Sequence, residues 1–245
     1  MRRCLKLTLE YDGTNYVGWQ RQAEGVSIQA LLEDALAPFA GEPVTVHGAG
    51  RTDAGVHALG QVASVTTTAP HDPETLQRAL NTVLPVDVRV LRIEEAPPGF
   101  HARFDAVSKT YEYRIVHAPF VSAFEHRYVW HVPGALDLDA MRRAAAPLQG
   151  RHDFAAFQST GGEVATTERT IHSIEIISSG PHLTIRVEGD GFLRHMVRAI
   201  AGTLVDIGLG RWPPSAMTEI LDSRDRGRAG RAAPPTGLFL IGVAY

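Results

Sequence analysis

The densest chemistry in this sequence lies in GAGRTDAGVH, residues 48–57, where Asp53 and Arg51 stand two residues apart among Gly48, Gly50 and Gly55. Glycines let a backbone turn tightly and let a large ligand approach closely, and functional groups concentrate on loops of this kind. A carboxylate in such a place is either a nucleophile aimed at a ligand or an Asx-turn or cap acceptor that shapes the loop. Arg51 also has two readings. It pairs with a surface carboxylate for little energy, or it enters a nucleic-acid stack and holds the place of an extruded base. His47 and His57 flank Asp53 and raise the question of a metal site. Their spacing matches neither HExxH nor another familiar ligand run, and the single cysteine, Cys4, adds no support, so no metal is assigned.

Other candidate groups lie in the second half of the chain. Tyr111 and Tyr113 fall on the same face of a strand, either as cross-strand packing or as a platform on which a base stacks. Leu193, Val197, Ile200, Leu204 and Ile207 read as the apolar stripe of a last helix, which places Arg194 and Arg198 one turn apart on another face, able to point at one site. His195 reads as a helix-surface histidine rather than a general base. SRDRGRAGRAAPP, residues 223–235, carries four arginines against Asp225 and reads as a mobile basic loop.

These groups need elements to position them. Leu5, Leu7, Leu9 and Tyr11 alternate with polar residues, the period of a strand with one buried face. Ser27 caps a helix with Ile28, Leu31, Leu32, Ala35, Leu36 and Phe39 on one face, brought to a stop by Pro38 and Gly41. Asp72-Pro73 opens a second helix. The stretch between these helices reads as strand and loop. Strand rhythm returns over 88–93, and Pro97-Pro98-Gly99 breaks it. A half-boundary near Asp105 divides the chain into 1–105 and 106–245. The second half loosely repeats the first, with strands over 110–116, 171–177, 183–187 and 238–243 and a helix over 137–149. This order of hairpins and crossovers implies an α+β protein with an antiparallel sheet and helices on one face.

Composition limits the function classes. A formal charge of −3 on 245 residues does not advertise a polyanion partner, so any RNA site is a local basic patch. Lys6 and Lys109 are the only lysines among 24 basic residues, which fits either GC-rich codon usage or a use for the planar guanidinium fork. No apolar run approaches the roughly 18 residues that a membrane span needs, and the N-terminal residues lead into a strand pattern rather than a signal segment, so a cytoplasmic protein is expected. One cysteine permits no internal disulfide.

Together these segments resemble the tRNA pseudouridine synthase A family nearly from end to end. The resemblance is carried by YDGTNYVGWQRQ (11–22), GAGRTDAGVHALGQVA (48–63), LNTVLP (80–85), FHARFDAVSKTYEYRI (100–115), HDFAAF (152–157), GFLRHMVRAIAGTL (191–204) and GLFL (237–240). RTDAGVHA is distinctive alone; HDFAAF and GLFL gain weight only from their order. The resemblance implies the pseudouridine synthase fold, two ferredoxin-like halves with joined antiparallel sheets and a central catalytic cleft. It also implies a homodimer whose tRNA touches both subunits, and isomerisation of uridine to pseudouridine at positions 38, 39 and 40 of the anticodon stem-loop with neither cofactor nor metal. By position in the motifs, Asp53 matches the catalytic aspartate and Tyr111 the residue that packs on the target base. Arg198 matches the arginine paired with the catalytic carboxylate, and Arg51 the residue linked to base extrusion. The residues alone also admit a hydrolase with Asp53 as nucleophile, or an RNA-binding module without chemistry.

Overall fold

A computed structural model describes residues 2–159, 161 and 164–245. The chain divides into two compact units: one runs to Val107 and takes back Leu240–Tyr245, and the other is Ser108–Phe239. The C-terminal residues thus leave the half in which a single boundary near Asp105 would place them.

The first unit opens with β1 (Arg3–Tyr11), whose Leu5, Leu7 and Leu9 are fully buried, as the alternation requires. α1 (Ile28–Ala40) starts at Ser27, whose hydroxyl accepts from the Ala30 N–H, and ends at Gly41 in the left-handed region, φ 70°. Pro38 lies inside this helix rather than stopping it. So near the C-terminus, the proline removes one backbone hydrogen bond and the helix runs on to Gly41. β2 (Val46–Gly48) and β3 (His57–Thr67) follow, then α2 (Pro73–Val83) capped by Asp72, and β4 (Val88–Ala96). β1 pairs antiparallel with both β3 and β4, and β2 pairs antiparallel with β3. All of β3 except Leu59 and Thr66 is buried. A strand covered on both faces has no two-residue period, which is why the sequence there read only as strand and loop.

The second unit begins with β5 (Ser108–Val116), followed by β6 (Trp130–His131), α3 (Leu138–Ala145), β7 (Gly150–Asp153), β8 (Glu168–Ser179) and β9 (His182–Gly189). α4 (Met196–Gly208), α5 (Ala216–Ser223) and β10 (Leu238–Ala244) complete the chain. The sheet of this unit runs β5-β9-β8-β7 with antiparallel pairs, while β6 pairs parallel to β5, so the α+β architecture holds but the sheet is mixed. α4 is buried almost all round, with Arg198 and Asp206 its only half-buried residues, so it is a core helix rather than one with an apolar stripe. Its glycines admit close neighbours: a Cβ on Gly208 would lie 2.7 Å from Met141 Sδ of α3. α5 follows α4, so α4 is not the last helix. Among the described residues, no helix is long and apolar enough to cross a membrane.

Candidate active site

Asp53 sits half-buried in the turn that joins β2 to β3. Its backbone forms an isolated antiparallel bridge with Gly18, its carbonyl accepts from the Val56 N–H at 3.1 Å, and the adjacent Thr52 carbonyl accepts from Trp19 N at 3.0 Å. Gly55, at φ 77°, makes the turn possible. The close approach is supplied by Gly48, where a Cβ would fall 2.4 Å from the Trp19 ring, and by glycines outside the loop. A Cβ on Gly13 would fall 2.0 Å from the Val56 carbonyl oxygen, and one on Gly18, itself at φ 105°, 2.5 Å from the Thr52 carbonyl oxygen. YDGTNYVGWQ is therefore the floor on which RTDAGV is laid.

Beneath the loop lies a buried polar network. The Tyr11 hydroxyl is 2.9 Å from Thr52 Oγ1 and accepts from Gln61 Nε2 at 3.3 Å, while the same nitrogen donates to the Gly50 carbonyl at 2.9 Å. Burial pushes the Tyr11 hydroxyl up to about 12, against the lowering effect of its bonds to Thr52 and Gln61, so it stays protonated. His57 is buried behind the loop: the Gly13 N–H donates to its Nδ1 at 3.1 Å, and the Asp12 carboxylate lies 3.1 Å from the same nitrogen. The sequence pattern offers His57 only as a metal ligand and Tyr11 only as a strand residue, and gives no sign of the support that Gln61, Gly13 and Gly18 supply here. Among the described residues, no group of three or more His, Cys, Asp or Glu side chains gathers that could hold a metal ion. Arg51 is exposed at the edge of the loop.

In the second unit, Tyr111 is buried on β5 opposite Val187, and its ring meets Phe192 edge-on with centroids 5.1 Å apart. Tyr113 is fully buried and meets Trp130 in the same manner. The Arg198 side chain is gripped by its Nε, which donates to the Ala233 carbonyl at 2.7 Å; in return the Ala233 N–H donates to the Arg198 carbonyl at 2.9 Å.

Arg194 does not share the helical face of Arg198. α4 starts at Met196, and His195 before it is left-handed at φ 61°, which takes Arg194 off the helical register. His195 is thus an N-cap residue whose Nδ1 meets Ser159 Oγ at 2.9 Å, not a helix-surface histidine. Nor is 223–235 a loose basic loop. Arg224 pairs with Asp153 at 3.2 Å, Arg228 approaches Glu219 at 3.7 Å, and Arg231 lies over the Trp130 ring at 5.4 Å. Ala233 is fully buried.

A sequence model of tRNA pseudouridine synthase matches residues 8–105 and 144–245. The chain is 47% identical to "tRNA pseudouridine synthase A" of Pelobacter propionicus, covering 99% of this chain and 100% of that one. It is likewise 47% identical to the protein of that name from Moorella thermoacetica, covering 99% of each, and 44% identical to "tRNA pseudouridine synthase A 2" of Clostridium tetani over the whole of both. With matches of this length, on the motifs that build the Asp53 loop and the Arg198 helix, the chain belongs to the tRNA pseudouridine synthase A family.

Proposed function

We propose that this chain isomerises uridine to pseudouridine at positions 38, 39 and 40 of the tRNA anticodon stem-loop, with Asp53 as the nucleophile, acting as a homodimer. Family membership makes it a tRNA pseudouridine synthase, an isomerase. The observation that supports Asp53 as the nucleophile is its half-buried place, set by its backbone on a loop that Gly13 and Gly18 brace; the tRNA positions and the homodimer rest on the family resemblance. A pre-set carboxylate can form a covalent adduct without reorganising its surroundings.

The reaction breaks the bond from ribose C1′ to uracil N1 and forms the bond from C1′ to C5, and C5 loses a proton while N1 gains one. Asp53 attacks C1′ or uracil C6, holds one fragment while the base turns, and is expelled when the new bond closes. It must be ionised to do this. Arg198 is the guanidinium that holds it charged once tRNA excludes water, since a cation within about 4 Å opposes the effect of burial on a carboxylate. Tyr111, steadied edge-on by Phe192, supplies the flat surface against which the uracil packs. The uridine must first leave its stack, at a cost of a few kcal/mol, and Arg51 at the loop edge fills the gap. Phosphate contacts by Arg224, Arg228 or Arg231 would have to compete with Asp153, Glu219 and the Trp130 ring.

The test is tRNA carrying tritium at uracil C5. Release of tritium with the uracil retained in the tRNA is expected. Free uracil would identify a hydrolase, and no release from folded protein would identify a binding module.

A further inference from the structure

The side chain of Arg198 is held by a segment far along the chain. Residues 230–237 cross α4 as a strap fixed at three points. The Gly230 N–H donates to Thr203 Oγ1 at 3.0 Å, and that hydroxyl donates to the Ala199 carbonyl at 2.8 Å. Ala233 bonds the backbone and the Nε of Arg198. The Tyr113 hydroxyl donates to the Pro234 carbonyl at 2.7 Å. Thr203 and Tyr113 are both fully buried.

Three glycines permit these approaches. A Cβ on Gly202, one turn beyond Arg198, would lie 1.9 Å from the Arg231 carbonyl oxygen; one on Gly230 would lie 2.9 Å from Thr203 N; and one on Gly237 would lie 2.7 Å from the Arg114 carbonyl oxygen and 3.0 Å from the Tyr113 ring. Burial keeps the Tyr113 hydroxyl protonated far above neutral pH, even beside the Arg198 and Arg231 charges, so it remains a donor. A guanidinium pinned by its Nε has the direction of its Nη edge fixed, and that edge can take a carboxylate through two parallel bonds.

We propose that this strap, anchored by Thr203 and Tyr113, is a positioning element that sets the guanidinium of Arg198 for the isomerisation. The proposal rests on the reading of Arg198 given above. Thr203 and Tyr113, both fully buried, act through Arg198.

The experiment is single-turnover tritium release by wild type, Tyr113→Phe, Thr203→Val and Thr203→Ser, each also in an Arg198→Lys background, with melting temperature and tRNA affinity measured for all. Tyr113→Phe keeps the ring against Trp130 and Gly237 and removes only the donor. Both Tyr113→Phe and Thr203→Val are expected to slow the chemical step about 10- to 100-fold, as small displacements of a reacting group do, with tRNA affinity within about twofold of wild type. Thr203→Ser, which restores the hydroxyl, recovers the rate. In the Arg198→Lys background, which has no Nε to pin, the same changes are expected to cost nothing further. Additive losses in that background, or an unchanged chemical step in folded Tyr113→Phe and Thr203→Val, would overturn the strap's role. If Arg198→Lys itself turns over like wild type, the underlying reading of Arg198 falls, and the strap proposal with it. A slow Arg198→Lys beside normal strap variants removes the strap proposal alone.

Discussion

Residue 53 is placed by its backbone, through the Gly18 bridge and the bond from Val56, on a floor made by a segment some forty residues earlier. Residue 198 is placed through its side chain as well, by a strap that arrives more than thirty residues later and bonds Nε directly. The backbone bonds at residue 53 persist when the carboxylate becomes an amide of the same shape, whereas the loop should fail when its glycines are filled. The helix should lose stability when Arg198 is truncated, because the Nε bond to Ala233 goes with it.

The largest effect is expected from Gly18→Ala. It forces a side chain into φ 105° and puts a Cβ 2.5 Å from the Thr52 carbonyl oxygen, so a loss of about 3 kcal/mol in urea unfolding should accompany loss of turnover. Gly41→Ala is the control: it too has positive φ but nothing within 4 Å, and should cost only about 1 kcal/mol with activity intact. Equal costs at the two sites would mean that the floor does not shape the loop.

Next comes Arg198→Ala, which leaves the Ala233 carbonyl without its Nε donor and should lower stability by about 1–3 kcal/mol. Tyr11→Phe should cost about 1–2 kcal/mol, because Thr52 and Gln61 lose a buried partner beneath the loop. If Arg198→Ala were stability-neutral, the contrast between the two placements would fail.

The smallest effect lies at Asp153, which pairs with Arg224 ahead of the strap. A hydrogen bond from Thr167 lowers the Asp153 carboxyl below its ordinary 3.8; burial opposes this, and the Ala155 N–H and the Arg224 charge add to the lowering. A depressed folded value gives stability that is present above pH 3.8 and lost as pH falls through the folded value. Melting temperature should therefore drop on acidification below about pH 4, and Asp153→Asn should shed part of that slope, an effect under about 1 kcal/mol.

How much of this the sequence announced depended on how local the cause was. β1, α1 and α2 were legible because their period and caps are written within a few residues: Leu5, Leu7 and Leu9 alternate, and Ser27 and Asp72 each cap the helix that begins at the next residue. β3 was hidden because burial on both faces erases alternation. The floor under Asp53 was hidden because Gly13 and Gly18 have their reason in Val56 and Thr52, residues a sequence does not place beside them. Residues 223–235 suggest a mobile loop for the same cause: glycine, proline and arginine imply looseness until Thr203, Arg198 and Tyr113 are known to bind residues 230–234. The left-handed His195 likewise moved Arg194 off a helical face that the apolar pattern had implied.

The most direct test of the account is single-turnover tritium release from C5-labelled tRNA by wild type beside Asp53→Asn, with the melting temperature of each. Release from wild type with uracil retained is expected, with a loss of at least about 10⁴-fold in the variant and stability within about 1 kcal/mol of wild type. Comparable release from a folded Asp53→Asn protein would contradict it.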